Sequence, residues 1–248
     1  MAKRIKQRAD IALVERNLVD SRSTAQSLIR AGRVLANEIR LDTPGQLIDR
    51  NAEIRLISKP KYVSRGGEKL EGALYDFGSD VSGLNVLDVG ASTGGFTDCL
   101  LQNGANLVYA IDVGRGQLSD RIRKDHRVVV MEKINARNPF SLPSRIELIV
   151  MDLSFISLRK VIPNLMEHLV IKGKLLVLVK PQFESARSKI GKGGVIREPG
   201  MHAQIVGDFC KWAISMHFRI LGIRRSHLTG SSGNKEFFVY MERNLLRE

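Results

Sequence analysis

The sequence predicts an α/β domain of the doubly wound kind, built on a mostly parallel sheet and preceded by a small basic α+β unit. Two observations lead there. Five apolar runs, Val86–Val89, Leu107–Ile111, Val128–Val130, Ile146–Met151 and Leu175–Val179, lack polar alternation and are separated by helical stretches. Strands that are apolar on both sides are covered on both faces, as in a parallel sheet sandwiched between helices. Before residue 60 the pattern is different, with two short helices followed by short β-like runs. The chain therefore divides into a small unit at 1–59, a linker at 60–66 and a large domain at 67–248.

In the small unit, Ile11, Leu13, Val14, Leu18 and Val19 recur near helical spacing. Asp20-Ser21-Arg22-Ser23 then supplies capping residues for a second helix through Ala25, Leu28 and Ile29, which stops at Gly32. Runs starting at Arg33, Ile39 and Ile54 read as strands, punctuated by turns at Asn37-Glu38 and Pro44-Gly45. Pro60 and Gly66 bracket a basic, extended segment, and a helix through Lys69, Leu70, Ala73 and Leu74 leads into the large domain. At the far end, Phe218–His227 and Glu236–Met241 flank the turn around Gly230–Asn234, which predicts a closing antiparallel hairpin.

Charge is the informative feature of the composition. The 248 residues hold 39 Lys plus Arg against 26 Asp plus Glu, a net charge of +13, so an anionic partner such as nucleic acid is the natural complement. Residues 1–60 alone carry 12 basic and 7 acidic side chains, and Arg22, Arg30 and Arg33 could form a phosphate-facing strip. No run of about 18 apolar residues occurs, and the N-terminus lacks the apolar stretch of a secretion signal, so a cytoplasmic protein is expected. Cys99 and Cys210 are far apart without a CxxC partner, and the five histidines show no ligand spacing. Neither a disulfide framework nor a metal site is expected.

The first strand of the large domain ends in Asp88-Val89-Gly90-Ala91-Ser92-Thr93-Gly94-Gly95-Phe96, after which a helix begins. Such a turn lets backbone approach a ligand and aims helix N-terminal amides into a cleft at the carboxyl edge of the sheet. The second strand ends in Asp112, where a carboxylate can accept hydrogen bonds from two ribose hydroxyls. Ala91 and Ser92 remove the Gly-x-Gly that a pyrophosphate needs, which disfavours NAD and leaves S-adenosylmethionine ahead. The fourth and fifth strands end in Asp152 and Lys180, putting a carboxylate and an amine in one crevice, with Lys69 and Glu236 able to converge on them. A structural ion-pair network is the bland alternative, since spacing alone does not establish convergence.

The segments Tyr62–Leu70, Asp88–Asp98, Met151–Ser157, Lys180–Phe183 and Gly191–Ile196 resemble the TlyA (hemolysin A) family. Arg16–Arg22, Ala25-Gln26 and Ala31–Val34 resemble the S4-type RNA-binding domain, although Glu38 stands where that domain usually turns on Gly. The family is similar to the FtsJ-like ribose 2′-O-methyltransferases. The resemblance implies a Rossmann-like class I methyltransferase fold with a seven-stranded sheet, 2′-O-methylation of cytidines in ribosomal RNA, and a catalytic tetrad at Lys69, Asp152, Lys180 and Glu236. It implies cofactor contacts from Asp88, Gly90, Ala91, Ser92, Gly94, Gly95, Phe96, Asp112, Asn135 and Asp152, and RNA contacts from Arg4, Arg8, Arg22, Arg30, Arg33 and Arg65. Two other classes stand beside it. A membrane-damaging protein, as the hemolysin label suggests, needs an amphipathic or apolar inserting segment that the sequence does not show. A non-catalytic RNA-binding assembly factor would keep the fold without binding the methyl donor, which a titration with S-adenosylmethionine would reveal.

Overall fold

The computed structural model describes residues 6–19, 21–30, 32–57, 61–185, 194–230 and 233–244. Arg4, Asp20, Ala31, Lys59, Pro60, residues 191–193 of the glycine-rich segment and residues 231–232 of the hairpin turn lie outside them. The chain forms two compact units, Met1–Pro60 and Lys61–Glu248.

The first unit contains β1 (Lys6–Arg8), α1 (Ala9–Glu15), α2 (Arg22–Arg30), β2 (Val34–Ala36), β3 (Ile39–Arg40), β4 (Leu47–Asp49) and β5 (Ile54–Leu56). β3-β2-β5 make one antiparallel sheet and β1-β4 another. The sequence reading missed β1 and β4, each only three residues long and too short for an alternation to register. Ser21 Oγ accepts the Thr24 N–H at 3.2 Å, opening α2, and Gly32 at φ +67° closes it by returning the Arg33 N–H to the Leu28 carbonyl at 3.0 Å. Asn37 and Glu38 both adopt left-handed backbone, φ 48° and 62°, which is the tight turn that joins paired strands with the correct twist. Glu38 takes the conformation usually left to Gly, and its carboxylate pairs with Arg55 across the sheet at 2.9 Å.

The second unit contains α3 (Arg65–Phe77), β6 (Asn85–Val89), α4 (Gly95–Gln102), β7 (Leu107–Asp112), α5 (Asp120–Arg123), β8 (Val128–Glu132), β9 (Ile146–Met151), α6 (Ile162–Leu165), β10 (Leu169–Val179), α7 (Pro181–Glu184), α8 (Pro199–Ser215), β11 (Phe218–Arg225) and β12 (Phe237–Arg243). Its seven strands run in the order β11-β12-β10-β9-β6-β7-β8. The five from β10 to β8 are parallel, and β12 joins both its neighbours antiparallel. Successive residues of one strand go to opposite faces. Val86, Val108, Leu148, Val150, Leu176 and Leu178 pack with Leu70, Phe96, Cys99 and Leu100 of α3 and α4. Leu87, Val89, Ile149, Met151, Val177 and Val179 pack with Ile162, Leu165, Val206 and Phe209 of α6 and α8. Both parities of β6, β7, β9 and the second half of β10 are thus buried, the physical cause of their unalternating runs, whereas the edge strand β8 leaves Val129 exposed.

The strand order reverses between β6 and β9, since β7 and β8 extend from one side of β6 while β9 and β10 extend from the other. At such a switch point the loops leave the carboxyl edge in opposite directions and open a crevice. The second half of the expected linker is built into this unit rather than spanning free. Tyr62 is buried, the Asp98 carboxylate accepts the Val63 N–H at 2.8 Å, and α3 already begins at Arg65. Cys99 and Cys210 are buried free thiols. Among the described residues no helix is long and apolar enough to cross a membrane.

Candidate active site

The turn between β6 and α4 is held by its glycines. Gly90 sits at φ +87°, where a Cβ would lie 2.8 Å from Leu153 Cδ2 and 2.9 Å from the Asp152 carbonyl oxygen, so only glycine passes between the two strand ends. Ser92 at φ 49° and Gly94 at φ 93° complete the reversal, and α4 starts at Gly95. Asp112, at the end of β7, closes over this turn: Oδ2 accepts the Ser92 N–H at 2.9 Å and Oδ1 the Gly114 N–H at 2.7 Å. Each carboxylate oxygen keeps a further lone pair for a ligand.

Three cavities meet along this edge. One of about 370 Å³ is lined by Gly90, Ser92, Ile111, Asp112, Ile134, Asn135, Asp152 and Leu153, among others. A second of about 180 Å³ is bordered by Gly90, Ala91, Ser92, Gly95, Phe96, Asp152 and Lys180. A third of about 660 Å³ is lined by Arg65, Lys69, Phe155, Lys180, Phe183, Asn234 and Glu236. The expected cofactor residues therefore gather, with two exceptions. Gly94 lines none of the three and serves the turn itself. Asp88 also lines none of them. It shares the strand face of Val86, so its carboxylate is fully buried beneath α4, where Oδ2 accepts the Thr97 hydroxyl at 2.6 Å.

Lys69, Asp152, Lys180 and Glu236 converge as two ion pairs. Lys180 Nζ lies 2.6 Å from Asp152 Oδ1 and donates to Ser154 Oγ at 2.9 Å. Lys69 Nζ donates to Glu236 Oε2 at 2.6 Å. Both amines are nearly enclosed, with Lys69 9% and Lys180 8% exposed, and Glu236 is 3% exposed. Glu184 locks the two strand-end turns together. Its carboxylate accepts the Ser157 hydroxyl at 2.7 Å and the Leu158 N–H at 2.6 Å, tying the turn after β9 to α7, and burial raises its pKa.

Of the arginines expected to meet RNA, Arg65 lines the largest of the three cavities and donates to the Thr229 carbonyl at 3.1 Å. In the first unit, Arg8 and Arg22 are organised by a residue the sequence reading did not single out. Asp10 is fully buried and accepts two bonds from Arg8 at 3.0 Å, one from Arg22 at 2.9 Å and one from Gln26 at 3.0 Å. The Arg8 hydrogen bonds are the main cause holding its carboxyl well below the usual carboxylate range. Arg30 is exposed and Arg33 half-buried. Ser154, Phe155 and Asn234 were also missed. Phe155 is 90% exposed at φ 65°, with the Phe183 ring 5.2 Å away. Asn234 is buried and joins the Ile196 N–H and the Gly194 carbonyl to the hairpin turn. An exposed aromatic in left-handed backbone has no sequence signature, because neither its exposure nor its backbone angle follows from residue type. Among the described residues, no group of three His, Cys, Asp or Glu could hold a metal ion.

The FtsJ-like methyltransferase model matches residues 62–243, and the S4 domain model matches residues 7–54. The chain belongs to the FtsJ-like methyltransferase family. A 16S/23S rRNA (cytidine-2′-O)-methyltransferase of Mycobacterium tuberculosis is 41% identical over 94% of this chain and 89% of its own length. Hemolysin A of Brachyspira hyodysenteriae is 40% identical over 89% of this chain and 93% of its own. A solved structure from Streptococcus thermophilus, of a hemolysin candidate, is 40% identical with a TM-score of 0.74, covering 98% of this chain and 90% of that one. This FtsJ-like methyltransferase thus has the seven-stranded, mostly parallel sheet with a terminal antiparallel hairpin, preceded along the chain by an S4 domain.

In the methyltransferase unit, burial, opposed by the Thr97 hydrogen bond and reinforced by the Asp152 charge, pushes Asp88 up to about 7. A folded-state pKa raised above the unfolded value contributes stability below the unfolded pKa and loses it as pH rises through the folded one. Thermal unfolding between about pH 4 and pH 8 is expected to show the wild type losing stability across that interval relative to Asp88→Asn. Parallel pH dependences of the two proteins would contradict the raised value.

Proposed function

We propose that the chain methylates the ribose 2′-hydroxyl of cytidine in ribosomal RNA, in the cytoplasm, with S-adenosylmethionine as donor. One observation supports this above the rest: the Lys180 amine borders both the cavity of the glycine turn and the larger one that opens beside Phe155. A ribose entering from one side would meet a donor held on the other.

The residues present fit such a donor. The 370 Å³ cavity lies within the range of small-molecule sites. Gly90 leaves a cradle that a Cβ would fill, Asp112 offers acceptors for ribose hydroxyls, and Ile111, Ile134 and Leu153 with Asn135 suit an adenine ring. Asp88 would support this cradle from beneath rather than touch the donor. When bound, S-adenosylmethionine supplies an electrophilic sulfonium methyl.

The chain's own work is alignment and proton handling. Lys180 contacts the 2′-oxygen and steers or accepts its proton, Asp152 holds Lys180, and the Lys69–Glu236 pair braces the wall of the same cavity. Choosing the 2′-hydroxyl selects RNA over DNA. Phe155, with Phe183 beside it, offers a π face to a base swung out of its helix. In the S4 domain, Asp10 fixes Arg8 and Arg22 through some of their N–H groups and leaves both guanidinium groups partly exposed for phosphates.

Three outcomes are expected. Lys180→Ala lowers methyl transfer to ribosomal RNA by at least about 100-fold while donor binding, titrated in parallel, persists; undiminished turnover removes Lys180 from the mechanism. Phe155→Ala weakens the productive RNA complex by about 5- to 100-fold in kcat/KM, read on the same RNA, as the loss of one stacked base requires. Arg22→Ala weakens RNA binding and makes the plot of log affinity against log salt shallower by about 1, and an unchanged slope would show that Arg22 meets no phosphate.

A further inference from the structure

Among the described residues, Ser154 alone lines all three cavities that meet at the carboxyl edge: the large one with Lys69 and Phe155, the one with Asp112, and the small one under the glycine turn. Its hydroxyl oxygen is 2.9 Å from Lys180 Nζ. Asp152 Oδ1 lies 2.6 Å from the same amine as its ion-pair partner, outside hydrogen-bond geometry. The amine carries its hydrogens in tetrahedral array about the Cε–Nζ bond, and ion-pair attraction alone leaves their rotation about that bond unset. The Ser154 hydrogen bond sets it, and the third position, the one that faces neither Ser154 nor Asp152, then has one direction.

Lys180 is only 8% exposed, so the enclosed space it borders is where that third position can be used. The Ser154 oxygen is itself held. It stands two residues after Asp152 on the turn after β9, Phe155 beside it is in left-handed backbone, and the same turn is tied down at Ser157 and Leu158 by Glu184. A rigid turn presenting one hydroxyl to one buried amine positions the amine more finely than the ion pair by itself.

We infer that Ser154 is a positioning residue for methyl transfer, acting through Lys180: with Asp152 it aims the remaining position of the Lys180 amine at the attacking 2′-oxygen. This rests on the methyltransferase reading above. The residue is exposed to the cavity, so Ser154→Thr keeps the oxygen and has room for its methyl group.

The test is steady-state methylation of ribosomal RNA by the full chain, with donor affinity and thermal stability measured on each variant. Ser154→Ala is expected to lower kcat by about 10- to 100-fold, the scale of a misplaced catalytic group, with KM for RNA and Kd for S-adenosylmethionine within about threefold of wild type. Ser154→Thr is expected to recover most of the rate. Adding Ser154→Ala to Lys180→Ala is expected to cost nothing further, because the oxygen would have no amine left to aim. An unchanged kcat in Ser154→Ala, a loss confined to KM or Kd, or equal losses in the presence and absence of Lys180 would each overturn the assignment. Wild-type protein that leaves the RNA unmethylated would overturn the methyltransferase reading and this role with it.

Discussion

Two lysine amines buried beside one set of cavities impose the governing constraint. A desolvated ammonium without a partner is costly, and removing one member of a buried pair leaves an uncompensated charge worth about 3–5 kcal/mol. The structure meets that demand twice, with Asp152 for Lys180 and Glu236 for Lys69. Each pairing requires elements distant in sequence to end at the same depth. β9 and β10 are adjacent and parallel, Met151 opposite Val177, so Asp152 leaves the sheet beside the last residues of β10 that carry Lys180 to it. Glu236 arrives immediately before β12, the strand that pairs antiparallel with β10, and Lys69 on the buried face of α3. Glu184 then ties the first two turns to each other.

The glycine turn belongs to the same economy of space. Gly90 passes between Leu153 and the Asp152 backbone with no room for a Cβ, so the turn that opens the Asp112 cavity is packed directly against the turn that carries the ion pair. Distortion at either would displace the other. Beneath them, burial and the nearby charges of Asp152 and Asp112 raise the Asp88 carboxyl to about 7 against the help of Thr97. Below that pH its protonated form spares the site a third negative charge close to Asp152 and Asp112.

The S4 domain solves a smaller version of the problem. Asp10 has no exposure, yet it is satisfied by Arg8, Arg22 and Gln26, whose combined hydrogen bonds outweigh its desolvation. The result is two guanidinium groups pinned at fixed positions with their outer faces partly open. Positive charge thereby gains geometry, which a strip of independent arginines on a solvated surface would lack.

The sequence by itself determined what depends on local pattern. Unalternating runs are the direct imprint of a sheet buried on both faces, the glycines around Gly90 mark a turn no other residue permits, and Ser21 and Gly32 bound α2 through local hydrogen bonds. Residue types at Lys69, Asp152, Lys180 and Glu236 were legible through family resemblance, but not their pairing. Only the tertiary structure decided that Lys69 meets Glu236 across 167 positions, that Asp88 faces α4 instead of the cavity, and that Ser154 touches the Lys180 amine. These are consequences of strand order, strand parity and loop closure. No periodicity along the chain encodes them, because each depends on where two separately formed elements come to lie in space.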